Sequence, residues 1–155
     1  MEFTTKDNGD RAVFEGGMVR DTEVGKTRWD LIPDFVLFEA IRTPSNSAVI
    51  DAYIEYKNDC NYGINCANLI RAVINMECGG QDLVFWKRQS DLMERGAAKY
   101  AELNWMNGKT SEVNTRYKKS LDRHFKQWLL GDREEDHAAA IAFNVNGIIY
   151  TSKYK

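Results

Sequence analysis

The chain has 155 residues, 43% of them hydrophobic and 28% charged, with a formal net charge of −2. That is the composition of an ordinary globular domain, long enough to bury a core. It offers no electrostatic basis for broad DNA or RNA binding, and no apolar run approaches the roughly 20 residues that a bilayer span needs.

Residues 1–33 are polar, aperiodic and punctuated by Gly9, Gly16, Gly17 and Gly25, so they are expected as an irregular arm. The opening MEFTTKDNGDR mixes both charge signs and lacks the apolar stretch of a secretory signal. Within the arm, GMVRDTEVGKTRWDLIP (17–33) sets Gly25 among Arg20, Lys26 and Arg28. Such a loop can turn backbone N–H groups and several cations toward an anion. The same charges also suit a solvated arm, and the GxxxxGK[ST] spacing of a P-loop is absent.

Pro33 and Asp34 begin a short helix, DFVLFEAIR, which stops before Thr43-Pro44. Residues 43–80 read as a self-contained inserted helical hairpin. Ser45-Asn46-Ser47 offers N-cap chemistry for SAVIDAYIEYKN, with Val49, Tyr53 and Tyr56 inward. NCANLIRAVINMEC follows, with Leu69, Val73 and Met76 on one face and a stop at Gly79-Gly80. Cys60, Cys66 and Cys78 form no CxxC pair, so they are expected as plain thiols of a reduced, cytoplasmic protein.

Residues 81–153 are expected to hold the core helices. From Gln81 to about Asn104, the stripe Leu83, Trp86, Ser90, Met93, Ala97, Tyr100 predicts one long helix. Asp91 and Glu94 lie three apart on it, a spacing that can hold a hard divalent cation and that also occurs on solvated faces. A turn at Asn107-Gly108 leads to a helix with Tyr117, Leu121, His124 and Trp128 inward. After Gly131, a last helix from about Glu134 to Ser152 turns His137, Ile141, Asn144 and Ile148 inward. Glu134, Glu135 and Asp136 would sit in its first turn, where the helix dipole favours carboxylates. His124 and His137 are the two histidines of the chain, and buried polar side chains need partners. The fold class is therefore all-α: an antiparallel bundle of five to six helices with an irregular N-terminal arm. A bundle of this shape is expected to self-associate.

Three blocks in order, GMVRDTEVGKTRWDLIP (17–33), MERGAAKYAELNWMNG (93–108) and SLDRHFKQWLLGDREEDHAAAIAFN (120–144), resemble a phage protein family described as dATP/dGTP diphosphohydrolase, N-terminal domain. The chain departs from that pattern at Ala101, where the family has glycine, and at Phe143, where it has tryptophan. It also has a short DREED loop and the extra residues 43–80.

The resemblance implies a purine (deoxy)nucleoside triphosphate as ligand, and a distant kinship with all-α nucleoside triphosphate pyrophosphatases of the MazG type. Those hold Mg2+ on clustered helix carboxylates and use it to activate water. Their ExxE…ExxD arrangement is matched here only by Asp91-x-x-Glu94. The implied cofactor is Mg2+ (or Mn2+), with Asp91, Glu94, Asp132, Glu135 and Asp136 as candidate ligands. Arg20, Lys26, Arg28, Lys99 and Arg123 would neutralise phosphate. Glu94 is counted with the catalytic residues as well as the metal ligands, and His124 or His137 would orient or deprotonate water. Tyr100 and Trp105 would stack on a base, and Asn104 or Asn144 would hydrogen-bond it. Two other readings fit the same residues. One is a protein that sequesters a nucleotide or nucleotide-derived signal without cleaving it. The other is a helical adaptor with core histidines.

Overall fold

The computed structural model describes residues 3–58 and 63–152. Cys60, the 59–62 link of the expected hairpin, and Lys153 lie outside them. Among the described residues there are six α-helices: α1 (Asp34–Ile41), α2 (Ser47–Asn58), α3 (Ile64–Cys78), α4 (Asp82–Lys99), α5 (Ser111–Leu129) and α6 (His137–Ser152). The all-α class holds. No helix among these residues is long and apolar enough to cross a membrane.

α5 and α6 form the central seam. Thr110 caps α5 by accepting from the Val113 N–H at 3.2 Å. The helix then buries Val113, Tyr117, Leu121, Phe125 and Trp128, the inward stripe that the 3.6-residue period requires. α6 runs antiparallel to it. At one end the Asn114 amide donates to Thr151 Oγ1 at 2.8 Å, and at the other His124 meets His137. Between them Gly147 lies face-on to the Tyr117 ring, where any Cβ would collide with ring carbons. The absence of a side chain there sets how closely the two helices approach.

α2 and α3 do not form a core of their own. Val49, Ile50, Tyr53, Leu69 and Val73 join the cluster that contains Tyr117, Leu121 and Ile141. Tyr53 stacks on Phe125 with ring centroids 4.0 Å apart. Met76, expected inward, is 43% exposed. α3 ends as expected, with Gly79 in the left-handed region (φ 59°) and the Gly80 N–H returning to the Ile74 carbonyl.

α4 departs furthest from its expected stripe. It ends at Lys99 rather than near Asn104, and a separate 3-10 turn covers Asn104–Asn107. Leu83 and Trp86 point to solvent at 70% and 48% exposure, while Phe85 is the buried anchor, against Ile74 and Ala142. The expected stripe holds in the second half, where Ser90, Met93 and Ala97, with Tyr100 just past the helix, line a cavity; it fails at the start, where Phe85 instead of Leu83 and Trp86 meets the neighbouring helices.

The arm is more ordered than its composition suggests. Strands β1 (Arg11–Val13) and β2 (Val19–Asp21) pair antiparallel, with Ala12 opposite Arg20. Gly16 and Gly17, both near φ 90°, make the turn that a side chain would strain. Phe14 and Met18 tuck into the core.

A 3-10 turn at Trp29–Leu31 then delivers the chain to α1. It is fastened there by Lys126 of α5, 1% exposed, whose Nζ donates to the carbonyls of Trp29 (2.9 Å) and Ile32 (2.8 Å). The same ammonium pairs with Asp34 (3.0 Å) and Asp122 (2.9 Å), and the Tyr53 hydroxyl donates to Asp122 at 2.7 Å. Removing one member of a buried, fully hydrogen-bonded ion group leaves the others uncompensated. Lys126→Met should therefore cost about 3 kcal/mol in urea unfolding. Lys57→Met, at the half-exposed edge of the same network, should cost less than about 1 kcal/mol. Equal losses in the two variants would refute this assignment.

Candidate functional site

A cavity of about 650 Å³ lies between the arm, α4, the 104–107 turn and the α5–α6 seam. That is the size of a site for a drug-sized or cofactor-sized molecule. β2 brings Arg20 to its wall and the following turn brings Lys26; α5 adds Arg123 and His124, and α6 adds Phe143 and Asn144.

Three of the cations on its wall, Arg20, Lys26 and Arg123, stand apart from the paired Lys6 and Lys99. Arg20 lies over the Tyr117 ring (5.0 Å to the centroid) and reaches Ser120 Oγ at 3.3 Å, but its Nη1 is buried with no partner. Burial pushes Arg20 down to about 10. Burial, with repulsion from Arg123, Arg20 and Arg116, pushes Lys26 down to about 8. Arg123 is also lowered, mainly by burial. Among the described residues none of the three has a carboxylate within ion-pair distance. Clustered cations without counter-charges are costly to bury. A bound anion offsets that cost, and guanidinium forks suit phosphate or carboxylate oxygens.

The two histidines extend this cluster inward. Arg123 can only donate, so the His124 Nε2 that lies 3.2 Å from its Nη2 accepts. The His124 proton is then on Nδ1, which donates to Nδ1 of His137 at 2.8 Å. His137 must therefore carry its proton on Nε2, 3.4 Å from Asp132 Oδ2 in a contact too poorly aligned to be a hydrogen bond. The chain Arg123–His124–His137–Asp132 fixes both tautomers. With both ring nitrogens engaged and 7% exposure, His124 is not placed to take a proton from water, as the resemblance had implied. It positions Arg123.

The acidic cluster is put to other uses than those expected. α6 begins at His137, so Glu134, Glu135 and Asp136 precede it instead of filling its first turn. Asp136 is its cap: Oδ1 accepts from the Ala139 N–H at 3.1 Å, and Arg88 clamps the carboxylate with bonds of 2.9 and 2.7 Å. Asp132 accepts from the Glu134 N–H and from Gln127. Glu134 pairs with Lys6, and Glu135 accepts a long bond from the Lys6 N–H. Glu94 is on the cavity wall, but Asp91 is exposed and off it. Among the described residues no three His, Cys, Asp or Glu side chains are placed to hold a metal ion. A divalent cation wants several oxygen ligands at once, so this donor set, as arranged, does not fit one.

Other expected contacts hold the wall together. The Asn104 amide pairs with both N–H and C=O of Val19 (3.0 and 2.8 Å), so it extends β2 and is not free for a base. The Tyr100 hydroxyl accepts from the Asp21 N–H, and Lys99 bonds Asp21 and the Lys6 carbonyl, each at 2.6 Å. Arg28 is clamped by Asp30 (2.9 and 2.8 Å) outside the main cavity. Trp105 and Asn144 differ from these. Trp105 Nε1 and Asn144 Oδ1 are buried on the wall without partners, one a donor and one an acceptor. Lys126, Asp21 and Arg88 were not singled out from sequence. The one local signal was the spacing Asp122–Lys126, four apart on α5.

In class, then, this is a helical bundle with a cavity on whose wall Arg20, Lys26 and Arg123 lie without carboxylate partners among the described residues. Residues 84–153, covering most of α4 and all of α5 and α6, match the family model described as dATP/dGTP diphosphohydrolase, N-terminal. The match supports the family resemblance over the segment that carries Glu94, Arg123, His124, His137 and Asn144, and it leaves the arm and α1–α3 outside. No curated protein and no solved structure matches the chain.

Burial lowers both histidines, His124 strongly with help from Arg123 and His137. The unfolded chain thus binds protons that the fold refuses. Stability should be full above about pH 6.5, the unfolded histidine value, and fall below it by up to about 1.4 kcal/mol per pH unit per histidine. Urea unfolding at about pH 7.5 and 5.5 tests this. His124→Gln should lose much of the difference; an unchanged difference would refute the buried neutral pair.

Proposed function

We propose that the cavity binds a purine (deoxy)nucleoside triphosphate and that the chain is a nucleotide diphosphohydrolase, the reaction stated in the name of the matched family. The observation that carries the binding half is the set of Arg20, Lys26 and Arg123, three cations without carboxylate partners facing one cavity. Phosphate oxygens would satisfy them. The indole N–H of Trp105 and the amide oxygen of Asn144 are suited to the edge of a base, one donating to a ring nitrogen or carbonyl and the other accepting from an exocyclic amine. Phe143 adds an apolar wall.

For hydrolysis, water attacks a phosphorus atom while negative charge spreads over the phosphoryl oxygens, and fixed cations stabilise that charge. Arg123, held by the histidine chain, is positioned for this. Glu94 and Glu102 are the wall carboxylates with no hydrogen bond or ion pair described, and Glu94, held on the regular helix α4, is the one assigned to accept the water proton. The carboxylates are not gathered to hold a metal, and no step is assigned to one. That same dispersal favours a second reading, binding without cleavage.

The test is a panel of (d)NTPs incubated with purified protein, with and without Mg2+ or Mn2+. The expected result is pyrophosphate and a monophosphate from dATP or dGTP. Glu94→Ala should lose at least about 100-fold in turnover while still binding, and Arg123→Ala should weaken binding at least about tenfold. Nucleotide that binds and is recovered intact under all metal conditions would establish the second reading instead. No binding by any nucleotide would sink both.

A further inference from the structure

Beside the main cavity, and sharing Lys26 and Arg123 with it, lies a second, much smaller pocket of about 30 Å³. Its wall carries five cations, Lys26, Arg28, Arg116, Lys119 and Arg123, against the two carboxylates Glu23 and Asp30. Asp30 is taken by Arg28. Glu23 is the carboxylate that reaches the others: one oxygen lies 3.0 Å from Arg116 Nε and the other 2.9 Å from Lys119 Nζ. A carboxylate spanning two cations in this way occupies the position that two oxygens of a phosphate would take. The space left is about that of one water molecule.

Glu23 belongs to the turn that follows β2, two residues from Asp21 and three from Lys26. Arg116 is also held by the Asp21 carbonyl at 2.6 Å, so its guanidinium stays in place whatever Glu23 does. The Glu23 side chain is 37% accessible and Lys119 39%, so the carboxylate can swing to solvent without unpacking the core. Lys26 and Arg123, common to both walls, make the cation surface continuous from Arg20 to Lys119.

We infer that this pocket is a second phosphate subsite, held by the internal carboxylate of Glu23 until a ligand with a chain of phosphates displaces it from Arg116 and Lys119. The inference deepens the nucleotide reading: it names a polyphosphate chain, rather than a single phosphate, as what the site is built to take. Phosphates would run from Arg20 and Arg123 past Lys26 to Arg116 and Lys119. Glu23 is a built-in competitor that a lone phosphate on Arg20 and Arg123 would leave undisturbed. It sharpens discrimination between long and short phosphate chains.

Inorganic tripolyphosphate and orthophosphate, measured by calorimetry on the full chain at low salt, separate this from the nucleotide reading, because neither probe carries a base. Glu23→Gln should tighten tripolyphosphate roughly tenfold, the sum of two half-exposed ion pairs released, and leave orthophosphate within about twofold. Lys119→Gln should weaken tripolyphosphate several-fold with the same indifference to orthophosphate. Tripolyphosphate binding with both variants unchanged, or with both probes shifted by the same factor, would overturn the subsite. So would failure of tripolyphosphate to bind either the wild type or Glu23→Gln. Should nucleotides fail to bind while tripolyphosphate behaves as expected, the base-recognition half of the proposed function falls and the subsite stands.

Discussion

The buried ammonium of Lys126 holds the arm to the bundle, and the position of the cavity wall follows from it. Without that ammonium, the Ile32 carbonyl would lose its described side-chain donor, and Asp34 and Asp122 would keep only the half-exposed Lys57 and, for Asp122, the Tyr53 hydroxyl. With it, residues 29–34 are fixed against α5 at one end of the arm. Asn104, Tyr100, Lys99 and Arg116 fix β2 at the other. Arg20 and Lys26 lie between these two fastenings. Their mutual repulsion with Arg123 opposes the folded arrangement, which the two sets of contacts hold in place. The strain of unpaired charge is thus stored where an anion can relieve it.

The same economy explains the histidines and the carboxylates. A neutral histidine pair transmits position without adding charge to a cluster already rich in cations. Asp136 satisfies the start of α6 and holds Arg88, so its negative charge is spent on structure. Asp21 does similar work against Arg11 and Lys99. The carboxylates of the DREED loop lie near the cavity, yet each is drawn to its own partner. The charged residues lining the cavity balance in number, Lys6, Arg20, Lys26, Lys99 and Arg123 against Asp21, Glu94, Glu102, Glu135 and Asp136, and among the described residues the cations without a carboxylate partner are Arg20, Lys26 and Arg123.

Local periodicity determined much of this protein. The inward stripes of α5 and α6, the stop at Gly79-Gly80, the break at Gly131 and the all-α class are consequences of residues three or four apart. These interactions lie within one helix, so the sequence carries them directly. Composition left Arg20 and Lys26 open between a solvated arm and an anion-binding one, while the ordered blocks sufficed for the family resemblance over 84–153.

Tertiary structure alone decided which polar groups are free. Asp136 meets Arg88 across 48 residues, Asn104 meets Val19 across 85, and Lys126 meets Trp29 across 97. Each of these bonds converts a residue that reads as a ligand, or as nothing, into a fastener. The stripe of α4 was legible from Ser90 to Tyr100, which line the cavity, and failed at its start, where contact with Ile74 and Ala142 selects Phe85 over Leu83 and Trp86, a choice made between helices and not by spacing within one. From sequence, residues 120–144 offered two histidines around an acidic loop. In the folded chain the histidines hold an arginine, the acids hold the loop, and the free charge comes from an arm a hundred residues away. Sequence spacing fixes which side chains share a helix face; only packing fixes which of them already have a partner.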